Sequence, residues 1–169
     1  MAEKVSLEGI LASLRSAPWQ GRVFRVMLND NPPERENIRG ARWNPPDTAA
    51  IYTCLEQSIC IAEVEYGLAR QPRPAKTGLR KTLYEIDVAL STAVNLTDVL
   101  PALERISIKH EELFANDMKV SQEIGRLATW FGFDGLFVPS ARGPGDNLVI
   151  YPGRVGESYR FEVRNSRVL

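Results

Sequence analysis

"TAAIYTCLEQSICIAEVEYGLAR", Thr48 to Arg70, is the stretch whose reading decides the fold. Its first seven residues read as a short strand, and Leu55 to Arg70 has helical spacing and length. The choice matters for Glu63. On a helix, Ile59, Ala62 and Tyr66 stand at i−4, i−1 and i+3, so Glu63 shares a flank with apolar residues. Glu65 then points about 200° away around the axis. On a strand, both carboxylates would share one face and form a two-carboxylate site. The length favours the helix, so Glu63 is read alone. Its plain reading is a partly exposed helix residue paired with a nearby cation.

Immediately upstream, "GARWNPP" (Gly40 to Pro46) sets an arginine and a tryptophan on a stiff frame. Gly40 allows close backbone approach, and Pro45 and Pro46 stiffen the exit. A guanidinium held this way is pre-organised to grip an anion, whereas Trp43 reads as a core plug. Further back, "GRVFRVML" reads as a strand with Arg25 among apolar residues. A buried arginine needs an anion or carbonyls, so Arg25 either pairs with Glu63 or lines a pocket for a phosphate-bearing ligand. "NDNPPEREN" between them reads as a turn-rich loop.

Downstream, "RPAKTG" ends the helix, and "LRKTLYEIDVAL" gives a strand followed by a brief extended piece, "AVNLTD". A helix from about Pro101 to Lys109 is expected, capped by Thr97 or Asp98. A further helix, "SQEIGRLATWFG", takes Ser121 as cap and Gly132 as terminator. "DGLFVPS", "NLVIYPG" and "YRFEVRN" read as three strands. Pro139 marks a strand end and presents Ser140 at a strand mouth, after which "RGPGDN" is a mobile loop. Strands at both ends with helices between them predict an α/β (α+β) domain around a mixed central sheet. Ahead of it, Ser6 caps a short amphipathic helix with Leu7, Ile10, Leu11 and Leu14 on one stripe, ended by Pro18. The expected organisation is an N-terminal helical flank, 1–20, and one domain, 21–169.

The 169 residues suit one core-bearing domain. Lys+Arg and Asp+Glu both number 21, so no global field attracts nucleic acid or an anionic membrane. No apolar run reaches membrane-spanning length, and the N-terminus lacks the pattern of a secretion signal. Cys54 and Cys60 read as reduced, buried thiols on one helix, too far apart to bridge. With a single histidine, His110, a zinc site is not expected, nor is a serine hydrolase built on Ser140. The expected location is cytoplasmic.

Three segments together resemble the RES-domain family: "FRV", "GARWNPPDTAAIYTCLEQSICIAEVEYGL" and "LFVPSARGPGDNLVIYP". The motif is an RWN-P, a tyrosine ten residues after its arginine, a glutamate eleven further on, and a distal V-P-S with a downstream asparagine. Family members are often toxins paired with an Xre-type antitoxin, and they resemble ADP-ribosyltransferase toxins in fold. They deplete NAD by breaking its nicotinamide–ribose bond, by hydrolysis or phosphorolysis, and ADP-ribosyl transfer to a protein is also known. The resemblance implies NAD as substrate, no separate cofactor, and a site made of Arg42, Tyr52, Glu63 and Ser140. Arg25 and Asn147 lie in matching segments. It implies that Glu63 stabilises the ribosyl cation, that Arg42 and Arg25 clamp the pyrophosphate, and that Tyr52 stacks on nicotinamide. Ser140 would hydrogen-bond the ribose or the amide. Ala41 and Asp47 depart from the family, each standing where glycine is common. The alternatives are a protein ADP-ribosyltransferase and a catalytically silent nucleotide- or partner-binding domain.

Overall fold

The computed structural model describes residues 5–72 and 78–169. Its strands are β1 (Ala17–Leu28), β2 (Ile51–Cys54), β3 (Lys81–Asn95), β4 (Gly135–Pro139), β5 (Asp146–Ile150) and β6 (Arg160–Val168). They lie in the order β1-β2-β5-β4-β3-β6, and β1 also pairs with β3. The extra pairing closes the first five strands into a ring and leaves β6 on the outer edge of β3. β3 and β4 run parallel, and the other pairs run antiparallel. With helices α1 (Leu7–Ala12), α2 (Gln57–Ala69), α3 (Leu100–Arg105) and α4 (Lys119–Trp130), this is the mixed α/β domain expected. No helix among the described residues is long and apolar enough to cross a membrane.

Three apolar clusters hold these layers together. Val23, Ile51, Ile86, Leu148 and Ile150 fill the ring. Outside it, α1, α3 and α4 press Leu11, Leu103, Ile124 and Leu127 onto Leu136, Val138 and Val149. Beneath α2, Val26, Cys54, Ile59, Cys60 and Leu83 make the third. Each fully buried leucine or isoleucine contributes about 1.5–3 kcal/mol. Ile10, Leu11 and Leu14 of the expected flank therefore belong to the main core.

β3 runs unbroken through the expected gap, because it changes neighbour there. Its residues 82–89 pair with β6, and Ala93–Asn95 pair with β4. At the handover, buried Asp134 accepts the N–H groups of Ser91 (2.7 Å) and Thr92 (3.0 Å). The strand stays extended because a carboxylate replaces the missing ladder partner.

Several expected boundaries shift for local reasons. Ser6 does cap α1, accepting the Gly9 N–H at 3.1 Å. Pro18 does not end that helix: it lies in β1, where the register with β3 shifts between Ala17 and Trp19. A proline is tolerated at such an irregularity because it has no N–H to pair. The segment after β3 starts as a 3-10 turn (Leu96–Val99) capped by Asn95, whose Oδ1 accepts from Thr97 N, rather than by Thr97 or Asp98. α3 then stops at Arg105, short of Lys109. α4 starts two residues before Ser121, so Ser121 is a buried first-turn residue donating to Met118 O (3.1 Å). Gly132 terminates α4 with φ +82°. Cys54 and Cys60 do not share a helix: Cys54 ends β2 and Cys60 lies on α2, both buried and free. Except for Gly78, the expected helix break at RPAKTG lies outside the described residues.

Candidate active site

The RWN turn is a knot of hydrogen bonds. Asn44, fully buried, donates from Nδ2 to Asn37 O (3.2 Å) and Thr48 O (2.7 Å). Its Oδ1 accepts the Tyr52 hydroxyl (2.6 Å), and that hydroxyl accepts the Trp43 N–H (2.9 Å). Both sides of the Tyr52 hydroxyl are thus occupied, and burial pushes its pKa up. Trp43 is the plug expected: it is 4% exposed, and its carbonyl accepts from Tyr151 Oη (2.9 Å). The same carbonyl lies 1.9 Å from where a Cβ on Gly125 would sit, so α4 can approach the turn only through a glycine. Asp47 has φ +68°, which explains why glycine is common there; aspartate holds the same left-handed backbone. Ala41 donates its N–H to Asn44 O (2.9 Å) and closes the turn.

The turn sends Arg42 the opposite way from Trp43. Arg42 Nη1 donates to Leu113 O (3.0 Å) and Ala115 O (2.8 Å), which fixes the guanidinium at one end. Burial lowers its pKa most, and the nearby positive charge of Arg142 lowers it further, against the pull of Glu63.

Glu63 projects from α2 towards the ends of β4 and β5. Its Oε1 accepts from Ser140 Oγ (2.9 Å) and from Asn147 Nδ2 (3.2 Å). No described cation forms a salt bridge with Glu63, so the ion pair of the plain reading is absent. Both of its hydrogen-bond partners are neutral donors. Glu65 points away and pairs with Lys81, as the helix requires. Arg25 does not pair with Glu63 either. It donates to Pro33 O, and burial brings its pKa down to about 10.

A cavity of about 670 Å³ opens beside this carboxylate, between α2, β1 and the loop that precedes the RWN turn. Arg25, Arg35, Arg39, Tyr52, Glu63 and Asn147 are among its walls. Arg35 and Arg39 escaped the sequence reading because a turn-rich loop has no periodicity to say which way its charges face. Arg42 and Ser140 border Glu63 without lining that cavity. Asn147 Oδ1 and Arg142 Nε are buried and have no partner among the described residues, the mark of a site that expects a ligand. A second hollow, about 410 Å³, lies over β1, β3 and β6, but its charges Arg22, Asp87 and Arg164 already pair with each other.

The two thiols also meet at this wall. The interaction between the neighbouring Cys54 and Cys60 pushes the Cys54 pKa up and lowers that of Cys60.

Residues 16–167 match the sequence model of the RES domain. NAD(+) phosphorylase MbcT of Mycobacterium tuberculosis strain H37Rv is 30% identical over 118 residues, 68% of this chain and 63% of the relative. MbcT of Mycobacterium bovis matches to the same extent. The match thus spans less than two thirds of the length of these curated relatives. Among solved structures, a chain of the crystal structure of the M. tuberculosis MbcT–MbcA toxin–antitoxin complex superposes with a TM-score of 0.76. That superposition covers 96% of this chain and 91% of the other at 23% identity, a likeness of fold.

Proposed function

The chain belongs to the RES-domain family, and from that premise we propose that it breaks the nicotinamide–ribose bond of NAD, acting as the toxin of a toxin–antitoxin pair. The observation that carries this reading is the Glu63 carboxylate, held by Ser140 and Asn147 beside a cavity rich in arginine. Departure of nicotinamide leaves positive charge on the ribose, and nicotinamide itself leaves as a neutral molecule. No strong acid is needed. A carboxylate oriented by two neutral donors, with its second oxygen carrying no hydrogen bond among the described residues, suits stabilisation of that cation.

The arginines divide the remaining work. Arg25, Arg35 and Arg39 face the cavity and supply the positive field for a pyrophosphate. Arg42, fixed by Leu113 O and Ala115 O, feels the field of the same carboxylate. Tyr52 contributes its ring, since its hydroxyl belongs to the turn. Two likenesses support the wider assignment: the relatives are NAD(+) phosphorylases, and the structural neighbour comes from a toxin–antitoxin complex. The partner proposed is an antitoxin of the Xre type.

Incubating the purified chain with NAD tests the enzyme reading, with nicotinamide expected among the products. Intact NAD, bound but not cleaved, would instead indicate a silent binding domain. A mass increase on a protein target would indicate ADP-ribosyl transfer. Growth arrest on expression, relieved by co-expressing the antitoxin, tests the toxin reading.

A further inference from the structure

Arg142 belongs to none of the roles above, yet it is built into the same corner. It follows Ser140 by two residues, and its backbone N–H donates to Ser140 Oγ (3.0 Å), the hydroxyl that donates to Glu63. Its guanidinium lies over the Tyr66 ring at 3.4 Å from the centroid. Tyr66 is three residues after Glu63 on α2, on the same flank of the helix. The guanidinium is therefore held over the flank of α2 that also carries Glu63. Its Nε is buried without a protein partner, and Arg142 forms no salt bridge among the described residues. Arg42 stands near enough for Arg142 to weigh on its titration, and only its Nη1 is engaged by backbone carbonyls. Two cations are thus fixed around Glu63 without either being paired to it.

We propose that Arg142, together with Arg42, forms the orthophosphate subsite of this enzyme and directs ribosyl transfer to phosphate rather than water. This rests on the NAD-cleaving function proposed above. The argument is electrostatic. Water can approach a carboxylate unaided, whereas a phosphate dianion is repelled by it. Two fixed guanidiniums offset that repulsion and offer planar donor pairs to the phosphate oxygens. In the step, the ribose C1″–nitrogen bond breaks and its electron pair goes to the pyridinium nitrogen, giving neutral nicotinamide. A phosphate oxygen lone pair forms the new C1″–O bond, giving ADP-ribose 1″-phosphate. No redox partner is involved.

The test compares the purified full-length chain with Arg142→Gln, Arg142→Lys and Tyr66→Ala. Inorganic phosphate is titrated at fixed NAD, and NAD at fixed phosphate. Arg142→Gln should raise the KM for phosphate by about tenfold to a hundredfold, the loss expected for a charge-assisted hydrogen bond. It should also shift the products from ADP-ribose 1″-phosphate towards ADP-ribose. Tyr66→Ala, which leaves the arginine but removes its platform, should move both readouts the same way. Arg142→Lys should recover only part, since an ammonium is not a planar fork. An unchanged phosphate KM would overturn the proposal, as would a KM for NAD that rises as much as that for phosphate. Calorimetric titration of phosphate into the chain without NAD separates the two ideas. Loss of phosphate binding in Arg142→Gln supports the subsite even if NAD proves not to be cleaved, and absence of binding by the wild type overturns it.

Discussion

Glu63 and Tyr52 both belong to the family motif, yet the structure gives them opposite kinds of dependence. In Glu63→Gln, the amide oxygen still accepts from Ser140 and Asn147 while the charge is lost. Nicotinamide release should fall by about 10²–10³, with the melting temperature held, as paired activity and thermal unfolding measurements would show. Tyr52→Phe keeps the ring and removes a hydroxyl that serves Asn44 and Trp43. Stability should drop by roughly 2–4 kcal/mol, because a buried acceptor and a buried N–H lose their partner. Nicotinamide release below the melting range should survive, and its disappearance there would return the hydroxyl to a direct chemical role. Sequence spacing alone could single out Glu63 only as a solitary carboxylate on an apolar flank. That Ser140 and Asn147 would converge on it was legible through the motif, since the chain brings them together across 77 and 84 residues. Arg25 was legible as a buried cation, but its choice of Pro33 O over Glu63 depends on how a loop folds back.

Among the elements, α4 and the RWN turn are coupled most tightly. A methyl group on Gly125 would sit 1.9 Å from Trp43 O, so Gly125→Ala must push the helix off the turn that holds Arg42. A loss of about 1–3 kcal/mol is expected, read as a lower denaturant midpoint at unchanged slope, with activity falling alongside. α2 and α4 were readable in advance because each is long enough for a helical period to repeat. β3 was read as two pieces because Ser91 and Thr92 interrupt its apolar pattern. The carboxylate that keeps them extended comes from Asp134, far along the chain. α3 was overextended because its stop is Ser107, which takes the left-handed backbone (φ +68°) without being a glycine, while Ile108 N–H closes back on Leu103 O. Gly125 carried no mark in the sequence, since a glycine inside a helix reads as a local cost until its neighbour is known.

Across the whole molecule, Asp87 on β3 holds Arg22 of β1 (2.9 Å) and Arg164 of β6 (2.7 Å). Hydrogen bonds first from Arg22 and then from Arg164 lower its pKa below the ordinary 3.8. Stabilisation from a depressed carboxylate is complete above that ordinary value and is lost as the pH falls through the lower folded value. Acid should therefore loosen β6 before the closed ring. Amide hydrogen exchange of residues 160–168, followed on either side of that window, should show protection vanishing there first. Equal loss in β4 and β5 would contradict it. The α/β class was legible from strand and helix patterns, whereas closure of the ring was not, because β1–β3 pairing spans the whole of α2 and its flanks. One consequence concerns synthesis on the ribosome. Glu63 is translated well before Ser140 and Asn147, and Arg42 before the carbonyls of Leu113 and Ala115 that fix it. A nascent chain truncated between the end of α2 and the end of β4 carries the carboxylate but neither of the groups that aim it. Under the function proposed above, competence thus arrives late in elongation, once Ser140 and Asn147 have joined Glu63.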